Sequence, residues 1–460
     1  MRGELPGGTG GRSVMLTAAV VLLFLAAEPL ADAVAGGRGP HELNTERQGR
    51  ASMTGRIGTT GNQAGAGHLL QLIRKGTATT RGELQRATGL SRSTVGHRLD
   101  QLFRAGWIRE TAGRPADART GGRPSLRLEF DGSHGVVLAA DLETRQGRAA
   151  VLDLNGRVLA ERTGPLVLAD GPDEVLDRLG GWFGPLLEEA GAEPGAVCGA
   201  GLSVPGPVDH AAGRVVQPPI MPGWDGYPIP DRLREAVAGQ LGAPAGGELP
   251  VLVDNDANLM AFAEQRAGYP DCSAFLLVKV STGIGAGLVV DGGMYRGIDG
   301  GAGDIGHIRL HDCPDALCMC GSYGCLAAVA SGGALATELG AAGVPVTYGF
   351  EVAEQLAAGN PDAVRLAREA GRRVGAVLVT VVSVLNPGVL MIAGDLAGTP
   401  FVTGVRELLY QRAMPRSTAH LDVVTSRLGA RAGLAGAGAM VVEELYAPGA
   451  ADERLAALRV

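Results

Sequence analysis

A chain of 460 residues has room for roughly two to four domains of about 150 residues each. Its 45% apolar and 19% charged residues exclude pervasive disorder and collagen-like repeats. The net charge of −7 excludes a uniformly basic nucleic-acid coat, yet the charge is uneven. Residues 56–131 carry 13 Arg plus Lys against 6 Asp plus Glu, net +7, which leaves −14 for the remainder. A basic front joined to an acidic body suits a phosphate-facing module attached to one with another task.

Ser13 to Ala27 is a mostly apolar run after Arg12, followed by the small residues Ala31, Ala33 and Ala35. It has the form of a signal peptide and is short for a membrane span, which needs roughly twenty apolar residues. The reading favoured is a start at Met53, with residues 1–52 a start-site artefact, because the downstream modules belong in the cytoplasm.

The next stretch predicts three short helices. Leu69, Leu70, Leu72 and Ile73 form an apolar face that ends at Lys75-Gly76. Thr80 with Glu83 makes a capping box for a second helix, which carries Leu84 and Ala87 and stops at Gly89. Ser91 caps a third, with Val95, Leu99 and Leu102 on one stripe. The tight Thr88-Gly89-Leu90 turn has the spacing of a helix-turn-helix, whose last helix enters the major groove by its N-terminal residues. Arg92, Ser93, Thr94, His97 and Arg98 lie off the apolar stripe and are the expected readers of bases and phosphates. Trp107-Ile108 and Ser125 to Phe130 read as strands around a loop with Arg114, Arg119, Gly121-Gly122 and Arg123, a wing. The module is placed at residues 62–131, with a protein-interaction domain bearing a solvated basic face as the alternative.

From Gly135 the texture becomes β-rich, with strands expected at 136–142, 147–154 and 158–163, a helix at about 173–190 and a strand at 196–204 ending in Pro205-Gly206-Pro207. Ser273–Val280 and Gly285–Val290 repeat the strand-turn-strand pattern, which predicts an α/β body at 135–447 with an internal duplication and a cleft between two lobes. Residues 448–460 are expected to be a tail.

Three features of the body carry chemistry. Val253-Asp254-Asn255-Asp256-Ala257-Asn258 ends a β-run in polar residues, offering either a general base toward a hydroxyl or a plain N-cap cluster. Ser281-Thr282-Gly283-Ile284-Gly285 is either a loop that lets backbone amides approach phosphate or a hairpin turn. His307, Cys318, Cys320 and Cys325, spaced His-x10-Cys-x-Cys-x4-Cys, make a closed tetrahedral set suited to structural zinc. A disulfide pair or inert thiols are the alternatives. A zinc hydrolase is excluded, since four protein ligands leave no position for water. Cys198, Cys272 and Cys313 fall outside the spacing and read as free thiols.

Six motifs occur in order over roughly residues 65–445: Gly201 to Pro207, Pro222-Gly223-Trp224, Asn255-Asp256-Ala257-Asn258, Thr282-Gly283-Ile284-Gly285, Gly303-Asp304-Ile305-Gly306-His307 and Cys318-x-Cys320-Gly-x-x-Gly-Cys325. Together they resemble the ROK family of sugar-responsive repressors and sugar kinases. The resemblance implies an actin-like, hexokinase-like two-lobed fold, zinc on the His and three Cys, and a sugar in the cleft. An N-terminal winged helix-turn-helix marks its regulator branch. Position by position, Asn255, Asp256, Asp304 and His307 match sugar-contacting residues, Asp256 matches the catalytic base of the kinases, and His307 would serve both zinc and sugar. Asp304 stands where the family has Glu, and Ala327 where it has another sugar-contacting Glu. Family kinases carry Asp-x-Gly-Gly-Thr after the first strand. Here Asp141 is followed by Leu142-Glu143-Thr144-Arg145, and Asp395 replaces a Gly at Ala393-Gly394-Asp395. Asp141, Thr282, Gly283 and Gly285 therefore read as vestigial phosphate loops. The implied protein is a transcriptional regulator that binds double-stranded operator DNA and a small sugar or sugar phosphate. It would act as a homodimer or dimer of dimers, with no membrane partner and no catalysis. The alternative is a kinase that phosphorylates a hexose from ATP.

Overall fold

A computed structural model describes residues 65–111, 126–241 and 249–458. The front holds helices α1 (Ala66–Arg74), α2 (Arg81–Thr88) and α3 (Arg92–Arg104), then strands β1 (Ile108–Thr111) and β2 (Arg127–Phe130), which pair antiparallel. The expected caps form. Thr80 Oγ1 accepts from Glu83 N at 3.2 Å, Glu83 Oε2 accepts from Thr80 N at 3.0 Å, and Ser91 Oγ accepts from Thr94 N at 3.1 Å. Gly89 ends α2 at φ 70°, a backbone region that a side chain disfavours. Arg123 and the rest of the expected wing loop, residues 112–125, lie outside the described residues, as do residues 1–64 with the run 13–27 and Met53.

The first lobe begins with β3 (Val136–Leu142), β4 (Gln146–Asp153) and β5 (Val158–Pro165). It continues through α4 (Pro172–Ala190), β6 (Val197–Val204), a two-stranded ribbon of β7 (Val208–Asp209) and β8 (Arg214–Val215), α5 (Ile229–Leu241) and β9 (Val251–Asn255). Then follow α6 (Asp256–Gly268), β10 (Ala274–Val280), β11 (Ile284–Val290), β12 (Gly293–Met294), α7 (Ala327–Ala330), α8 (Gly332–Ala341), α9 (Gly349–Ala357) and α10 (Pro361–Leu385). The chain closes with β13 (Val389–Ala393), α11 (Thr399–Arg412), α12 (Pro415–Thr418), β14 (Asp422–Thr425), α13 (Ala432–Leu445) and α14 (Pro448–Ala457).

The duplication is explicit in the sheets. One has the order β5-β4-β3-β6-β9 and the other β12-β11-β10-β13-β14, each an antiparallel meander of three strands extended by two parallel ones. Helices α4 and α5 cover one face of the first sheet, and α8, α10 and α11 one face of the second. Helices α6 and α13 occupy the space between the sheets. Residues 256–265 of α6 are all buried, so the first ten residues of this helix have no solvent face.

One expectation about boundaries fails. The residues after 447 are not a tail, because Ala451 and Leu455 of α14 are buried at i, i+4 spacing, and Asp452 Oδ1 accepts from Gly67 N at 2.8 Å. A two-residue stripe is too short to be recognised in sequence. The front packs onto the body: Leu69, Leu99 and Trp107 share one apolar cluster with Val137, Leu152, Val441 and Tyr446.

Candidate functional site

The carboxyl ends of both sheets open on one cleft of about 1540 Å³, larger than the roughly 300–1,000 Å³ usual for small-ligand pockets. Asn255, Asp256, Asp304 and His307 line it together with Asp141, Thr282, Gly283 and Gly285, so the residues singled out for sugar and for phosphate share one space.

β9 ends in Asn255, which caps α6. Its Oδ1 accepts from Ala257 N at 3.0 Å and Asn258 N at 3.3 Å, while Nδ2 donates to Gly206 O at 2.9 Å. The N-cap reading therefore describes Asn255, and one amide hydrogen remains for a ligand. Asp256 accepts from Ala257 N at 2.7 Å on Oδ1. Its Oδ2 lies 2.5 Å from Lys279 Nζ. Buried Asp254 holds the strand end, accepting from Asn258 Nδ2 at 3.1 Å and pairing with Arg296 Nε at 2.6 Å. Asp304 is exposed in the cleft, 3.8 Å from His307 Nε2.

His307 Nδ1 turns the other way, 3.7 Å from Cys318 Sγ, and the ligand atoms of His307, Cys318, Cys320 and Cys325 all lie within 4.8 Å of one another. Cys320 Sγ and Cys325 Sγ are 3.8 Å apart. That is far beyond a disulfide bond and close to the separation of about 3.8 Å that tetrahedral ligands at zinc–sulfur distances require. Burial, followed by the neighbouring sulfurs, pushes the Cys325 thiol up to about 12. Thiolates crowded this closely call for a cation, and the donor set fits zinc. Cys198, Cys272 and Cys313 are free thiols.

The loops expected on the phosphate side line the cleft and make contacts of their own. The β3–β4 turn closes through Glu143 N donating to Gln146 O at 2.8 Å, and Glu143 pairs with Arg148 at 3.8 Å. Arg145 donates to Tyr348 Oη at 2.8 Å and stacks 4.4 Å from the centre of that ring, tying one lobe to the other. Gly332 N donates to Ser281 O at 2.7 Å and Ala334 N to Ser331 Oγ at 3.2 Å, so donors at the start of α8 already have partners.

Sequence reasoning missed Lys279. It sits in an otherwise apolar strand, Ala-Phe-Leu-Leu-Val-Lys-Val, and a charge there was the available signal, since buried lysines are almost always paired. Burial lowers its basicity, but the Asp256 and Asp141 carboxylates outweigh this and hold the ammonium above its ordinary pKa. Asp141 is 6% exposed, and burial raises its carboxyl to about 6.

The expected DNA readers lie apart from the cleft. On α3, Arg92, Ser93 and His97 are exposed, while Thr94 and Arg98 are half-buried. Ser93 and Thr94 share hydrogen bonds of 2.9 and 2.8 Å with Ser91 Oγ. Between front and body, Arg74 and Arg266 both reach Glu443 at 3.3 Å. Tyr446 packs edge-on against Trp107 and Phe130 with ring centres 5.1 Å away in each case, and its hydroxyl meets His134 Nε2 at 2.5 Å.

Comparison with known proteins agrees with this layout. The xylose repressor of Caldicellulosiruptor bescii is 25% identical over 396 residues, covering 82% of this chain and 95% of that protein. The glucokinase of Halalkalibacterium halodurans is 30% identical over 263 residues, covering 54% of this chain and 76% of the enzyme. The crystal structure of a ROK family transcriptional regulator, a homologue of the E. coli MLC protein, superposes with a TM-score of 0.70 at 25% identity, over 86% of this chain and all of that one. Among the described residues no helix is long and apolar enough to cross a membrane. The ROK family profile matches residues 138–444, and the chain belongs to the ROK family.

Proposed function

We propose that this protein is a transcriptional repressor whose cleft binds a sugar and whose three-helix front, a winged helix-turn-helix, binds operator DNA. The observation that carries this reading is the route between the two. Helix α6 starts at the sugar-side residue Asp256 and ends near Arg266, which holds Glu443 of α13, which in turn holds Arg74 of α1. A ligand that changes lobe closure moves α6 and α13 together, because they pack on each other between the sheets, and thereby biases the pose of the front. Similarity along 82% of the chain to a xylose repressor makes a pentose or hexose the effector to test first.

The readers on DNA are Arg92, Ser93, Thr94, His97 and Arg98, with Arg123 in the wing. Two copies of the chain bind one operator, since helix-turn-helix modules read half-sites about one helical turn apart. Zinc on His307 and the three cysteines is structural: it fixes the imidazole so that Nε2 stays beside Asp304. Phosphoryl transfer is absent from this reading. Glu143 puts a negative side chain at the phosphate side, and Asp256, the base a kinase would need, is ion-paired to Lys279.

Fluorescence anisotropy on the DNA upstream of its own gene, with and without xylose, glucose and their phosphates, tests the reading. One sugar should weaken binding about tenfold or more, a coupling of about 1.4 kcal/mol. Sugar-dependent ADP release abolished by Asp256→Asn would replace the repressor reading with the kinase.

A further inference from the structure

Lys279 belongs to the second sheet, yet its ammonium pairs at 2.5 Å with Asp256 at the start of α6, and it lines the same cleft as Asp141, at the end of β3 in the first sheet, whose charge also acts on it. Its side chain is 16% exposed. Ser203 of β6 faces Asp141 across the sheet. Gly433 of α13 covers one side so closely that a Cβ there would stand 2.5 Å from Asp141 Oδ2. Asp141 Oδ1 has no hydrogen-bond partner, and Arg148, across the strand pair, is drawn to Glu143. Asp256 thus pairs directly with Lys279, and the field of the buried Asp141 carboxylate reaches the same ammonium. Two buried carboxylates on facing elements are the arrangement that binds Mg²⁺, which needs one or two carboxylates and the oxygens of a phosphate.

The chain contains 39 Arg and only two Lys, and one of the two stands here. A guanidinium is a broad planar fork, whereas an ammonium is a compact point charge close in form to a bare cation. We infer that Lys279 is a tethered cation, occupying the place where Asp141 and Asp256 would otherwise gather a divalent ion, so that the cleft recognises hydroxyls without metal and does not hold a metal–phosphate group. The inference rests on the reading of the cleft as a sugar site. It assigns Lys279 as the residue that separates recognition from phosphoryl transfer. The ammonium satisfies Asp256 Oδ2, leaves that carboxylate as a hydroxyl acceptor, and repels a second cation.

Mg²⁺ is the probe, since a hard cation avoids the thiolate site. Thermal melting and calorimetric titration with millimolar Mg²⁺ are carried out on the zinc-loaded full chain, on Asp141→Asn, on Lys279→Met and on Lys279→Met/Asp141→Asn. The wild type should not respond. Lys279→Met should gain a saturable rise in melting temperature and bind Mg²⁺ about tenfold or more tightly than the wild type. The double variant should lose both. If Lys279→Met folds only with Mg²⁺ present, the inference stands. It is overturned if the wild type shows an Mg²⁺ response that Asp141→Asn removes, if Lys279→Met is folded and indifferent to Mg²⁺, or if that variant stays unfolded with and without the ion. Sugar-induced stabilisation of the wild type in Mg²⁺-free buffer is read separately. Its absence for every carbohydrate would count against the sugar reading, while the Mg²⁺ arms still decide the role of Lys279.

Discussion

Arg74 in the first helix of the front and Glu443 in α13 form an ion pair of 3.3 Å in which the Arg74 side chain is only 9% exposed. Its guanidinium also lies 5.4 Å from the centre of the Phe130 ring and 5.7 Å from that of Tyr446. Burial lowers the pKa of Arg74. A cation held in this way needs its partner, because removing one member of a largely buried pair strands the other.

Glu443→Gln should therefore destabilise the protein by about 1–3 kcal/mol, measured by denaturant unfolding. It should also reduce the sugar-induced change in operator affinity, since Arg266 and Arg74 lose their common acceptor. Full retention of the sugar effect would remove this junction from the route.

Asp141 gives a pH signature. Its folded carboxyl pKa is raised to about 6 by burial, above its unfolded value, so the stability that this group contributes is present below the unfolded pKa and is lost as pH rises through 6. Asp141→Asn should accordingly be more stable than the wild type at pH 7.5, by about 1–3 kcal/mol, with the gain fading near pH 4. Melting curves across that range check the sign.

Arg92 is exposed at the start of α3, where a phosphate contact would be made. Arg92→Ala should weaken binding to all DNA and lower the slope of log affinity against log salt by about 1. Arg98→Ala should weaken operator binding while zinc content and melting temperature stay unchanged. Unaltered affinity would remove Arg98 from the readers.

Cys320→Ser should lose the metal, measured by native mass spectrometry, and loosen the region of His307 and Asp304, measured by hydrogen exchange. A variant with full zinc occupancy would contradict the ligand set.

Most of the helix ends, the long strands and the grouping of one histidine with three cysteines are legible along the chain. Thr80 with Glu83, Ser91 and Gly89 mark helix ends through local hydrogen bonds and local φ, which depend on neighbours along the chain and are readable there. Short apolar runs bounded by turn residues locate β3 within its observed limits and most of the other long strands to within a residue or two. The spacing of His307 and the three cysteines likewise sufficed, because three of the four donors fall within eight residues. The remaining contacts come from packing between distant parts of the chain. Lys279 meets Asp256 from 23 residues away, Arg145 reaches Tyr348 across the cleft, and Arg74 finds Glu443 at a separation of 369 residues. Nothing in one chain's local pattern encodes such pairings. They exist because two like sheets face each other around α6 and α13, and that packing chooses which charges share a low-dielectric space.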